Sequence, residues 1–272
     1  MKYKAIALDL DGTLKSSEKT ILPKTKELLM DLAKQGIIVI LASGRPTQGM
    51  VAEAKELELE TLGGYVLSFN GARVVNQKNK EIVYDKIYSK DLAHQVYERG
   101  KEYNLAVLTY IKDKIITEDI DDEYVQYEAT LNHMEIEKVD DFKATVNESV
   151  NKVLLTGKPE YVESILDDFK EPFINNLSVY RSTPFFIEVM DQGVDKASSL
   201  DVILKSLNIS KEELIAFGDG YNDLSMIRYA GLGVAMGNSV DEVKAEADYI
   251  TDSNDNEGIF NCLKQLQEKG EI

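Results

Sequence analysis

The sequence predicts an α/β fold, a mainly parallel sheet flanked by helices, with a smaller α+β domain inserted into it. Two observations lead there. Short apolar runs at residues 5–8, 37–41, 65–69, 214–217 and 233–235 are each followed by a polar or glycine-rich break, as buried parallel strands are. Between residues 84 and 189 the chain is richer in tyrosine and acids, and strand-like runs alternate there with helix-like ones.

Taken in order, the run at 5–8 is a buried strand. Pro23 suits the first turn of a helix whose Leu28, Leu29 and Leu32 recur at helical spacing, and Gly36 suits its stop. The strand at 37–41 completes a strand–helix–strand unit. Pro46 then predicts a second helix with Val51, Ala54 and Leu57 facing inward, and Gly63-Gly64 leads to the strand at 65–69. The insertion carries strand-like runs at 106–110, 114–117, 152–155, 177–181 and 185–190. Helices bearing Leu92 and Val96, and Val162, Ile165 and Leu166, alternate with them. The reading is a core of residues 1–83 and 190–272 with an inserted domain at 84–189. The acidic stretch 117–123 reads as a solvated loop.

With 272 residues, 43% of them hydrophobic, the chain is long enough for a large core and two domains. Lys+Arg 31 against Asp+Glu 48 leaves a net charge of −17, which repels nucleic-acid phosphates and anionic membranes. The lone cysteine, Cys262, has no partner for an intramolecular disulfide and falls on the apolar face of a terminal helix. No apolar run approaches membrane-spanning length, and none at the N-terminus is long enough for a signal peptide. These features predict a cytoplasmic protein that binds neither nucleic acid nor membrane. The oligomeric state stays open.

The chemistry concentrates in Asp9-Leu10-Asp11-Gly12-Thr13, directly after the first strand. Side chains two residues apart on an extended chain leave it on one side, roughly 6–7 Å apart, so Asp9 and Asp11 are placed to share a metal and a phosphate. Such a pair allows one carboxylate to act as nucleophile while the other moves protons, though the motif alone also reads as an acidic turn closing the strand. Gly12 allows a sharp turn with amides facing an anion, and Thr13 adds a hydroxyl donor. A calcium loop is excluded, because Leu14 and Thr20 occupy the positions of its turn glycine and closing glutamate. Three further segments fall at element ends. Ser43-Gly44-Arg45 offers a hydroxyl and an amide to phosphate; Lys196, at a helix start, offers an ammonium; Gly218-Asp219-Gly220-Tyr221-Asn222-Asp223 offers acids and an amide for an oxygen-rich magnesium site. The Lys196 ammonium has no evident packing reason to be buried and reads as catalytic rather than structural.

These motifs, with Phe69-Asn70-Gly71-Ala72, Gly193-Val194-Asp195-Lys196 and Ala235-Met236-Gly237-Asn238, occur in the order taken by the haloacid dehalogenase (HAD) superfamily. Over essentially its whole length the chain resembles the Cof-type phosphatases with a type IIB cap. The resemblance implies a Rossmann-like HAD core with Asp9 as nucleophile and Asp11 as general acid and base. It implies Mg2+ held by the Asp9 side chain, the Asp11 backbone carbonyl and Asp219. Phosphate contacts map onto the Leu10 backbone, Ser43, Gly44, Lys196 and Asn222, with Thr13, Arg45, Asn70, Asp223 and Asn238 in support. The implied substrate is a small phosphorylated metabolite such as a sugar phosphate. A phosphomutase of the same cap class also keeps both acids and differs in returning the phosphate to a sugar. A phospho-switch needs only about a hundred residues and no insertion, and a non-catalytic binding protein has no use for both acids beside Lys196. Tyr180, Arg181 and Thr183 read either as leaving-group contacts or as packing of the inserted sheet. His94 and His133 receive no role.

Overall fold

In the computed structural model, which describes residues 2–272, the strands in chain order are β1 (Ala5–Leu8), β2 (Ile38–Ala42), β3 (Gly64–Ser68), β4 (Arg73–Asn76), β5 (Ile82–Asp85), β6 (Ala106–Ile111), β7 (Lys114–Thr117), β8 (Glu135–Lys138), β9 (Lys152–Thr156), β10 (Leu177–Thr183), β11 (Phe186–Asp191), β12 (Leu214–Gly218), β13 (Leu232–Ala235) and β14 (Tyr249–Ile250). The chain divides into two compact units, one of Met1–Gly44, Met50–Tyr84 and Asp195–Ile272, the other of Arg45–Gly49 and Asp85–Val194.

The first unit is built on a sheet of order β14-β13-β12-β1-β2-β3-β4-β5. It is parallel from β14 through β3, and β4 joins antiparallel. The apolar run of β1 is continuous because both of its faces are covered: Ile6 and Leu8 pack into one core and Ala5 and Ala7 into another. Leu28, Leu29 and Leu32 of the helix Pro23–Lys34 and Ile259 and Leu263 of Gly258–Glu268 fill the first core; Leu200, Ile203 and Leu204 of Lys196–Ser206 fill the second. Each such buried side chain contributes about 1.5–3 kcal/mol. Pro23 does sit in the first helical turn, and the chain reverses at Gly36 with φ +98.

The stretch after Pro46 departs from expectation. A 3₁₀ turn, Thr47–Met50, precedes the helix Val51–Glu56, and Val51 is 46% exposed. The inward stripe is Met50, Glu53, Ala54 and Leu57 at i, i+3, i+4 and i+7. Glu53 can occupy that stripe because the Lys15 ammonium pairs with it. Strands β4, β5 and β14, which the apolar pattern did not reveal, are short and in part exposed.

The second unit holds a sheet of order β10-β11-β9-β6-β7-β8, antiparallel except for the β7–β8 pair. Helices Lys90–Glu102 and Pro159–Lys170 cover one face, packing Val96, Val162, Ile165 and Phe169 on Val107, Val153, Leu155 and Val189. Helix Glu123–Asn132 places Val125 and Ala129 against Leu108, Leu154 and Phe186 on the other. The acidic stretch does form a loop, but its last residues also start that helix: the Asp122 carboxylate accepts from the amides of Tyr124 at 3.0 Å and Val125 at 3.1 Å.

Buried charge marks this second face. Lys152 Nζ lies 3.4 Å from Glu188 Oε1, the Tyr180 hydroxyl donates to Glu188 Oε2 at 2.9 Å, and the Tyr110 hydroxyl donates to Glu128 Oε1 at 2.6 Å. Arg181 differs from its neighbour: it pairs at 3.2 Å with Glu163 of the helix Pro159–Lys170. Among the described residues, no helix is long and apolar enough to cross a membrane. Replacing the Asp122 cap by alanine is expected to cost about 1 kcal/mol, read as a lowered urea midpoint with unchanged slope for the transition of this unit.

Candidate active site

The amide of Asp9 donates to the Phe217 carbonyl of β12 at 3.1 Å, so the sheet ladder carries this side chain to the strand end. Lys196 opens the helix Lys196–Ser206, which Asp195 caps by accepting from the Ser198 amide at 2.8 Å. Its ammonium donates to Asp9 Oδ1 at 2.6 Å, to Asp223 Oδ1 at 2.5 Å and to the Ala42 carbonyl at 2.9 Å. Three donors meet three acceptors, and the side chain is 0% exposed.

Asp223 uses its other oxygen to hold the next loop. Asp223 Oδ2 accepts from the amides of Asp219 and Gly220, each at 2.9 Å. A Cβ at Gly218 would stand 2.5 Å from the Asp223 Cβ, so only glycine lets that side chain fold back. The Thr13 hydroxyl donates to Asp219 Oδ1 at 2.7 Å, and Gly12 turns beside the same carboxylate with φ +87, where a Cβ would collide with it.

Among the described residues, Asp9, Asp219 and Asp223 bring carboxylate oxygens within 4.8 Å of one another. Three carboxylates thus face one ammonium. Burial pushes the Asp9 carboxyl well above its usual range, Asp223 adds to the rise, and Lys196 opposes it. Burial likewise pushes Asp219 up to about 6, against the stabilising Thr13 bond. Burial alone would lower Lys196, but Asp223 and Asp9 outweigh it and the ammonium is held charged. The arrangement is short of positive charge and offers oxygen donors only.

A second group surrounds the end of β2. The Asn70 amide donates to the Ser43 carbonyl at 2.9 Å, Asn222 Nδ2 donates to Asn70 Oδ1 at 3.2 Å, and a Cβ at Gly44 would lie 3.1 Å from that Asn70 oxygen. Phe69 and Asn70 hold this position with φ of 52 and 53, a left-handed pair that is rare for a bulky side chain. Asn238 Nδ2 donates to the Gly12 carbonyl at 2.8 Å.

The structure therefore brings Asp9, Thr13, Lys196, Asp219 and Asp223 into direct contact, with Ser43, Gly44, Asn70 and Asn222 joined through the adjoining loops. The Leu10 side chain is buried in the core, and its carbonyl accepts from Lys15 at 2.9 Å. Asp11 stands outside the carboxylate trio, with Lys19 Nζ 3.8 Å from its Oδ1. Arg45 belongs to the second unit and donates to the Leu131 carbonyl at 3.2 Å. Sequence reading missed the Ala42 carbonyl, Ser239, which donates to the Gly218 carbonyl at 3.1 Å, and Asn254, whose amide donates to Asn238 Oδ1 at 3.0 Å. A backbone acceptor leaves no trace in residue type, and an asparagine in a polar loop looks like a turn former.

Residues 6–263 match the family model described as haloacid dehalogenase-like hydrolase. The fold superposes with a TM-score of 0.94 on a haloacid dehalogenase-like hydrolase from Bacteroides thetaiotaomicron, 43% identical over 97% of this chain and 100% of that one. The HAD subclass IIB sugar phosphatase BT4131 superposes with a TM-score of 0.80 at 27% identity, covering 99% of this chain and 100% of that one. The 5-amino-6-(5-phospho-D-ribitylamino)uracil phosphatase YitU of Bacillus subtilis is 32% identical over 96% of each chain.

Full burial gives Lys196 a structural part beside the catalytic one expected of it, although its sequence position offers little packing reason for burial. Lys196→Ala removes the counter-charge of Asp9 and Asp223 together, and breaking a buried pair costs about 3–5 kcal/mol. Urea unfolding of Lys196→Ala is expected to show a loss of that order alongside the loss of activity.

Proposed function

The chain belongs to the haloacid dehalogenase-like hydrolases, and from that membership we propose that it is a magnesium-dependent phosphatase of small phosphorylated metabolites, acting through an aspartyl-phosphate at Asp9. One observation carries the reading: a buried ammonium holds Asp9 at a strand end beside Asp219 and Asp223, three carboxylates to one cation.

The donor set fits Mg2+, a hard cation that takes oxygen ligands. The Asp9 and Asp219 carboxylates would hold it, with the Asp11 carbonyl as the resemblance implies, while Asp223, occupied by Lys196 and two amides, braces the Asp219 loop. Bound Mg2+ would supply neutralisation of phosphoryl oxygens near the carboxylates. Ser43, Gly44, Asn222 and the Leu10 backbone hold the phosphate, and Lys196, bonded to Asp9, offsets its charge. Asp9 attacks phosphorus as the bond to the leaving oxygen breaks, and Asp11 gives that oxygen a proton. Asp11 then takes a proton from the water that attacks the aspartyl-phosphate, releasing inorganic phosphate and restoring Asp9. The partial exposure of Asp11 suits a group that must exchange protons.

Sugar phosphates are the substrate class we favour. One neighbour is a sugar phosphatase, and YitU is a phosphatase of a phosphoribityl compound. We assign selection of the leaving group to the inserted unit, where Tyr180, 36% exposed beside the buried Lys152–Glu188 pair, is the candidate contact. Arg181, turned to Glu163, is not.

Asp9→Asn and Asp11→Asn are each expected to lower phosphate release by about 10²–10⁴-fold or more. Chelation should abolish turnover and added Mg2+ restore it, and Asp219→Ala should raise the Mg2+ needed. Near-normal turnover in folded Asp9→Asn protein would remove the mechanism. Tyr180→Phe is expected to reorder a panel of sugar phosphates while sparing 4-nitrophenyl phosphate, and Arg181→Ala to change neither; parallel changes across the panel would return selection to the core.

A further inference from the structure

Between β1 and the helix Pro23–Lys34, the chain that carries Asp11 has no strand of its own. It holds isolated bridges, parallel between Asp11 and Lys15 and antiparallel between Lys15 and Ile21. Its own turn bonds, such as Lys15 to the Leu10 carbonyl and Ser16 to the Thr20 carbonyl, are supplemented by side chains from two distant loops.

Asn254 Nδ2 donates to the Lys15 carbonyl at 2.9 Å, gripping the residue whose backbone is bridged to Asp11. Asn238 Nδ2 donates to the carbonyl of Gly12, the residue directly after Asp11, at 2.8 Å. The two asparagines are tied together, the Asn254 amide donating to Asn238 Oδ1 at 3.0 Å. Further along, the Asp255 carboxylate accepts from the Ser17 amide and hydroxyl, both at 2.7 Å. Glu257 accepts from the Thr25 amide at 3.0 Å and its hydroxyl at 2.6 Å, closing the far end. The Lys15 side chain is itself fixed by its buried pairing with Glu53. Four side chains near the end of the sequence thus clasp the segment running from Gly12 to Thr25.

We propose that Asn238 and Asn254 are positioning residues that act through Asp11, fixing the backbone of its chain neighbour Gly12 and of its bridge partner Lys15 so that its carboxyl meets the leaving oxygen. The inference rests on the phosphatase reading above. It assigns the asparagine pair to the protonation step and not to phosphate binding. Loops that merely closed the fold would have no reason to join one grip on the neighbour of an acid to another on its bridge partner.

The test is leaving-group sensitivity in kcat/KM, which reports the steps through phosphoryl transfer. An alkyl phosphate needs its leaving oxygen protonated, whereas 4-nitrophenolate departs without help. Misplacing a catalytic group by about an ångström costs about a hundredfold, so Asn254→Ala should lower kcat/KM for an alkyl phosphate by about ten- to a hundredfold and for 4-nitrophenyl phosphate by less than about threefold. In an Asp11→Asn background, adding Asn254→Ala should have no further effect on either substrate, since the relay has lost its object. Asn254→Asp keeps the volume and withdraws the Nδ2 donor, so it carries the same expectation should the alanine protein not fold. Equal losses on both substrates, no loss on either, or a full additional loss in the Asp11→Asn background would each overturn the assignment. If Asp11→Asn alone leaves the alkyl phosphate unaffected, the protonation role of Asp11 falls, and this inference with it.

Discussion

A fully buried ammonium organises the catalytic unit. Removing a charge of that kind from water costs several kcal/mol, and the structure bears this only because Lys196 meets Asp9, Asp223 and the Ala42 carbonyl together. Those acceptors lie at the ends of β1 and β2 and just beyond β12. The three strands are neighbours in one sheet, in the order β12-β1-β2, and their polar ends meet at a single nitrogen. Any register shift among them would strand a charge. Despite these bonds, burial holds the Asp9 and Asp219 carboxyls above their usual range, so the site favours added positive charge.

Backbone strain does related work beside it. Phe69 and Asn70 both sit in the left-handed region, a conformation costing of order 1–3 kcal/mol per residue. In return the Asn70 amide reaches the Ser43 carbonyl and its side chain reaches Asn222. The Asn-Gly pair at 70–71 signals such a turn in sequence, while Phe69 does not. Its side chain stays buried, so the strain is held in place by packing.

Legibility followed the physics of each residue. Asp9, Lys196, Asp219 and Asp223 were readable because each falls where an apolar run or a helix begins or ends, and β1, β12 and the helix Pro23–Lys34 were readable from continuous or periodic burial. Burial of Lys196 was not, since its partners lie far away in sequence and lysine alone predicts exposure. Glu53 misled for the same reason: its ion pair with Lys15 turns an acid inward and leaves Val51 outside. Strand β8, Glu-Ile-Glu-Lys, is mostly exposed and so carries no apolar signature.

The catalytic unit is assembled from three separated stretches of chain, whereas the second unit is nearly continuous from Asp85 to Val194. A ribosome therefore delivers Asp9 long before Lys196, its partner 187 positions later. Until then the emerging β1 lacks both its β12 neighbour and its counter-charge, while the intervening unit already has nearly all of its own core residues and is free to fold. The order of synthesis thus makes the insertion's residues available before the frame can close, and the carboxylates can meet their counter-charge only once the chain has passed Lys196.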